Sequence, residues 1–315
     1  MNVNTTLTLV QRELLEHRSI FIAPAILTGI ILIASLFGVF KGIGASAQVA
    51  ELLSELDYAD PQRVNTVLRG LLSAVFASFM VPFYLLMSAV TGFYLLDSLY
   101  GERKDRSILF WRSLPVSDAQ TVLSKLLTGL FAIGFVAVAA VVIAFFLNGI
   151  VLSFGLLVLG KNPLTFLWLP APWISGPLFL LYAVLANALW YSPFAAWLLL
   201  VSSASRGAPL LWAAGIPAGL MYLEQLLFRT QYLWETISGH VVGFVLNAFH
   251  EEDDFSFDSD DFGAMFDEAG PEVSTSLLSL PNPVGLVTSI ELWIGLLVAA
   301  ALTFGAMRMR RYQDV

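Results

Sequence analysis

Six stretches decide what this 315-residue chain can fold into: five long apolar runs and one run interrupted by polar residues, with lysine and arginine gathered on alternate sides of them. A bilayer core of roughly 30 Å demands about 20 consecutive apolar residues of a crossing helix. Hydrophobic residues make up 57% of the chain and charged residues 13%, and the mean hydropathy is +0.77. Helices of a soluble domain keep a polar face, and these runs have none. The expectation is an all-α polytopic membrane protein.

The runs place spans at about 19–40, 71–96, 126–147, 174–202, 208–228 and 288–307. The fourth is long enough to tilt or to bend at Pro193, and the fifth carries Pro209 and Pro217. Prolines are tolerated inside a span where neighbouring groups re-satisfy the freed carbonyls.

Orientation is read from basic residues near the span ends. With both termini in the cytoplasm, the inner segments hold Arg12, Arg18, Arg103, Lys104, Arg106, Arg112, Lys125, Arg206, Arg308, Arg310 and Arg311. The outer segments hold Lys41, Arg63, Arg69, Lys161 and Arg229. This imbalance favours cytoplasmic termini over the inverse. The net charge of −8 is local, because ten acids lie between Glu251 and Glu272, and it gives no basis for nucleic-acid binding. Ala45-Ser46-Ala47 could end a signal peptide, but the apolar stretch before it runs about 22 residues, beyond the 7–15 of a signal core. The chain has no cysteine, which excludes disulfide and thiol chemistry, and His17, His240 and His250 are too scattered for a metal cluster.

The amino terminus (1–18) reads as an amphipathic, interfacial helix, with Val3, Leu7, Val10 and Leu14 on one side and Gln11, Arg12, Glu13 and Glu16 on the other. Between the second and third spans, residues 97–125 open with a charged cluster and then present Ile108, Leu109, Phe110, Trp111 and Leu114. Pro115 stops whatever helix carries them, and Ser117 with Gln120 forms a capping-box signature for the next. A loop that only linked two spans would not need Phe110 and Trp111 side by side. Two destinations fit: the lipid interface, or a groove on a partner protein.

The order of an amphipathic first helix, Gly101-Glu102-Arg103-Lys104, an apolar patch, Ser113-Leu114-Pro115-Val116-Ser117 and Lys125 opening a span resembles the permease subunits of ABC exporters of the second type. The resemblance rests on about 30 residues of motif within a matching topology. It implies a cytoplasmic coupling loop between helices 2 and 3, seated in a groove of a separate ABC ATPase subunit, with the first helix alongside as a connecting helix. Carried over by position, the coupling residues are Glu102, Arg103, Arg106, Ile108, Leu109, Phe110, Trp111 and Leu114. It also implies a second permease copy or a related permease, since six spans make half a transporter, and a bacterial inner-membrane location. The chain departs from that family in its outer connection (229–287), which is longer and more acidic than expected.

ATP and magnesium would sit in the partner, with no cofactor in this chain. A P-loop needs Gly-x4-Gly-Lys-Ser/Thr, whereas Gly160-Lys161 is followed by Asn162 and lacks the upstream glycine. No catalytic or metal set is legible. In the outer connection, 232–249 is semi-apolar and reads as a re-entrant or interfacial helix, followed by the acidic stretch 251–272. A calcium loop counted from Asp258 fails, because Phe262 and Ala269 occupy ligand positions. The stretch is either a diffuse cation attractor or a solvated loop that enforces topology. Asn187, Tyr191 and Glu224 are candidates for a translocation path, with helix packing as the competing role for the first two. Glu291 near the start of the sixth span is a further intramembrane acid. An ion-coupled secondary transporter or a membrane scaffold without an ATPase partner is the alternative function. Lipid, peptide, drug and cation all stay open as cargo.

Overall fold

The computed structural model describes residues 3–44, 61–108, 116–249 and 281–312, and over these the fold is helical throughout. In chain order the helices are α1 (Val3–Glu16), α2 (Ser19–Gly44), α3 (Pro61–Lys104), α4 (Asp118–Leu127), α5 (Ile133–Val158), α6 (Ser175–Trp190), α7 (Ser192–Ala204), α8 (Pro209–Phe228), α9 (Tyr232–Phe249), α10 (Pro283–Thr288) and α11 (Ile290–Tyr312). A π turn at Thr128–Ala132 joins α4 to α5 without a break, and a second π segment spans Leu164–Trp168. Five helical stretches are long and apolar enough to cross a membrane, and α6 with α7, bent by 56°, makes a sixth if the pair is one span.

The helices overrun the expected spans. α3 runs 44 residues and carries the charged cluster 97–104 as helix, while α4 begins at Asp118. Most of the expected loop 97–125 is therefore helical continuation, and the connection proper is 105–117, in which Leu109, Phe110, Trp111 and Leu114 lie outside the described residues. The cause is local: Gly101 to Lys104 contain no helix breaker beyond one glycine, and the capping box sets the start of α4. Ser117 accepts from the Gln120 N–H, and the Gln120 side chain accepts from the Ser117 N–H. The acidic stretch 251–272 also lies outside the described residues.

The bend in the fourth span falls where Pro193 predicts it. Pro193 cannot donate to Leu189, so the Ser192 hydroxyl donates to that carbonyl at 2.8 Å. The Trp190 carbonyl accepts from His240 Nε2 at 2.9 Å, while Trp190 Nε1 donates to the His240 carbonyl at 2.6 Å. The two rings stack with centroids 4.9 Å apart. Tyr191 adds a hydrogen bond from its hydroxyl to the Val241 carbonyl. Residues 232–249 are thus a helix, α9, clasped to the break.

α11 packs most extensively on α7, and α2 on α5. A cluster of Ile20, Leu95, Leu99, Val122, Ile133 and Leu199 forms the core where α2, α3, α4, α5 and α7 converge. A second cluster, built on Phe76, Phe83, Phe145 and Leu180, fills the space between α3, α5 and α6. Gly129 makes the first convergence possible, since a Cβ there would lie 2.7 Å from Leu95 Cδ2. In contrast, α8 is buried over only 6% of its apolar window, and among the described residues no side chain or other helix approaches within 4 Å of where Gly215 or Gly219 would carry a Cβ.

Candidate functional site

The α1 helix is amphipathic, and its inward side mixes apolar Leu14, packed on the core, with polar residues. Thr6 and Glu13 are buried, whereas Leu7 and Leu15 point outward. Glu13, expected on the solvated side, is 2% exposed. It is drawn inward by Lys125, itself 2% exposed, whose Nζ lies 2.9 Å from Glu13 Oε1 and 3.0 Å from Glu102 Oε1. Tyr94 donates its hydroxyl to Glu13 Oε2 at 2.9 Å, and His17 rests edge-on against the Tyr94 ring.

The network continues through Glu102. Arg310 Nη1 meets Glu102 Oε2 at 2.6 Å, and Arg310 Nε meets Asp118 Oδ1 at 3.1 Å. Charges this deep persist only when paired and hydrogen-bonded. Five charged side chains thereby tie together α1, the end of α3, both ends of α4 and the end of α11. All four elements meet at the base of the 105–117 connection.

Arg103 makes a separate joint. Its Nη2 donates to the Ser202 carbonyl at 2.6 Å and to the Ser205 carbonyl at 2.8 Å, at the C-terminal end of α7, where helix carbonyls lack intrahelical donors. The Ser202 hydroxyl in turn accepts from the backbone N–H of Leu99 and Tyr100. Arg106 is exposed and has φ 57°, a left-handed turn that ends the α3 overrun, and Ile108 is buried.

Of the sequence-predicted coupling residues, then, Glu102 and Arg103 point into the protein, Ile108 is buried and Arg106 alone among those described is exposed. Glu102 turns inward because Lys125 and Arg310 both reach it. The members missing from the sequence reading are Glu13, Asp118 and Arg310 as a set with Lys125. Their separations along the chain, 112 residues for Glu13–Lys125 and 208 for Glu102–Arg310, leave no local pattern. The available signal was the presence of acids within basic span ends.

The candidate path residues fall in two places. Asn187 Nδ2 donates to Tyr84 Oη at 3.1 Å, linking α6 to α3, and Tyr191 lies one turn further along. Tyr84 was not foreseen. Glu224 is elsewhere, at the elbow between α8 and α9. There it accepts from the Thr230 hydroxyl and the Tyr232 and Leu233 N–H groups, capping α9. Met221, Tyr222, Gln225, Gln231 and Trp234 line the shallow groove beside it. Glu291 faces Gly243 on α9.

Together these features define an all-helical protein with the apolar helices of a membrane protein and a buried ionic joint at one end of the bundle. No protein family, curated protein or solved structure matches the chain.

Proposed function

We propose that the chain is the transmembrane permease subunit of an ATP-driven ABC exporter of the second type, working by alternating access with a separate ATPase subunit. One observation carries this reading. The Glu13–Lys125–Glu102–Arg310–Asp118 network locks α1, α3, α4 and α11 into one unit around the 105–117 connection. A push delivered to that connection moves four elements together instead of bending one loop. α3 and α11 then carry the displacement along the length of the bundle, and the bend between α6 and α7 offers a place for it to be absorbed.

On this reading the connection sits at the cytoplasmic face of a bacterial inner membrane, where the basic span ends collect. Phe110 and Trp111 enter the ATPase groove. A second permease copy or a related permease completes the path, with membrane lipid around the rest. ATP hydrolysis belongs to the partner, so this chain is not itself an enzyme.

The test is an affinity pull-down of the tagged chain from native membranes in mild detergent. The expected result is a stoichiometric P-loop protein that is lost from the Phe110→Ala/Trp111→Ala variant, while the variant remains in the membrane. Normal ATPase association by that double variant refutes the docking role. A clean preparation free of any ATPase in two gentle extractions refutes the permease reading.

A further inference from the structure

The apolar interior is notable for its lack of charge. No Asp, Glu, Lys, Arg or His occurs from Gly70 to Leu96 or from Asn162 to Ser205, the segments that supply α3 through its apolar run, α6 and α7. Between these helices stands a polar notch. Tyr84, 49% exposed, accepts from Asn187 Nδ2, and both residues lie well inside stretches long enough to cross a membrane.

That bond leaves capacity unused. Among the described residues, no group of the chain accepts the Tyr84 hydroxyl hydrogen, and none donates to Asn187 Oδ1. One open donor and one open acceptor therefore sit side by side. In hydrocarbon such groups are costly unless something covers them. Tyr191 has no hydrogen left to give Asn187 Oδ1, because its hydroxyl donates to the Val241 carbonyl. Ser88, one turn from Tyr84 on α3, extends the polar line, and the exposed Val81 and Leu85 flank it with apolar surface.

Building on the permease reading, we infer that this notch holds the carried solute, and that the solute is a neutral amphiphile with an uncharged hydroxyl- or amide-bearing head and an apolar tail. A group that both donates and accepts satisfies Tyr84 and Asn187 together, as a hydroxyl or a primary or secondary amide does. A charged head placed there would meet no counter-charge from residues 70–96 of α3 or from α6 and α7, and an uncompensated ion at such depth is disfavoured. The apolar flanks give the tail its surface. The same head chemistry is carried by single-chain amphiphiles and by two-chain glycolipids.

The test uses the full chain in phosphatidylcholine nanodiscs and a single-chain alkyl glucoside with a diazirine in its tail. After irradiation the labelled peptides are mapped. Labelling is expected on residues 77–91 and 181–194, above the level on the exposed face of α2 at Ile26 and Ile30, which reports bulk partition. Excess alkyl glucoside or a dialkyl glucosyl lipid should compete it away, and the more effective of the two identifies the source. An alkyltrimethylammonium or alkyl sulfate of equal length should not. Tyr84→Phe, which keeps the ring, and Asn187→Leu should each lower the competed labelling by about threefold to tenfold, the worth of one net hydrogen bond. Labelling no higher than on α2, competition by either ion as effective as by the glucoside, or indifference to both variants overturns the inference. If no ATPase copurifies but the notch is labelled and competed, the permease reading falls and the binding site stands. If an ATPase copurifies and the ions compete best, the permease reading stands and this inference falls.

Discussion

Lys125 is the cation shared by two buried carboxylates, Glu13 and Glu102, so Lys125→Met exposes the energetics of the network most directly. Its ammonium sits 2.9 Å from a Glu13 oxygen and 3.0 Å from a Glu102 oxygen, so those oxygens are no farther apart than about 6 Å. With the ammonium removed, two unit negative charges at that distance repel by about 3 kcal/mol at an effective dielectric of ~20. Glu102 keeps Arg310, whereas Glu13 keeps the Tyr94 hydroxyl and, at 3.8 Å, the His17 imidazole, and loses its one lysine. Breaking a buried pair from one side costs about 3–5 kcal/mol, and the repulsion accounts for most of that range. Asp118→Asn is the contrast, because that carboxylate is 36% exposed and its pairing with Arg310 is worth under ~1 kcal/mol. Adding Glu13→Leu to Lys125→Met removes the stranded charge and restores most of the loss, since an apolar replacement of a buried pair is often neutral. Equilibrium unfolding in mixed micelles measures all three. If Lys125→Met costs no more than Asp118→Asn, or if Glu13→Leu restores nothing, the buried-network account is wrong.

Two further perturbations separate other joints of the fold. Arg103→Ala removes two charge-assisted bonds to the end of α7 and should cost about 1.5–3 kcal/mol, and Arg103→Lys should rescue only part because a lysine lacks the planar fork. Unfolding of the two variants side by side checks this, equal stability of Arg103→Ala and the parent chain being the contrary result. Gly176→Ala drives a Cβ to within 2.6 Å of the Phe76 ring and should cost about 1–3 kcal/mol, whereas Gly215→Ala, in open space on α8, should be neutral or mildly stabilising. Thermal unfolding of this pair reads the difference, and equal shifts would mean that α3 and α6 are not packed as described.

Composition made the all-helical class and the presence of five or six long apolar helices legible, because a helix that crosses lipid requires a continuous apolar run and that requirement is local in sequence. The bend at Pro193 and the cap at Ser117 were legible for the same reason, each depending on neighbours within four residues. The direction in which Glu13 and Glu102 point was not. In an amphipathic helix the polar face ordinarily meets water, so Glu13 read as outward. It turns inward because Lys125, 112 residues away, arrives from α4 with a charge to match. Tyr84 was missed on similar grounds: a tyrosine in a span reads as packing until its partner, Asn187, is seen across 103 residues. Glu224 read as an intramembrane acid without a structural task, and its task emerges only when the chain turns back at Arg229 and brings the Tyr232 and Leu233 N–H groups to it.

The distribution of polarity then has one physical logic. Charges are collected where α1, α3, α4 and α11 meet, and there they pair across elements and hold the joint together. Toward the middle of the apolar runs the polar groups become neutral, and they are the ones that lie open or bridge a break. Tyr84 and Asn187 bridge α3 to α6, while the Ser192 hydroxyl takes the Leu189 carbonyl that Pro193 cannot reach and His240 donates to the Trp190 carbonyl at the bend. On the permease reading proposed above, a charged base joined to a bent, uncharged span lets force enter at one end and shape change in the middle. On the alternative reading of an ion-coupled carrier, charged groups would have to come from outside that bent span, which has no Asp, Glu, Lys, Arg or His between Asn162 and Ser205.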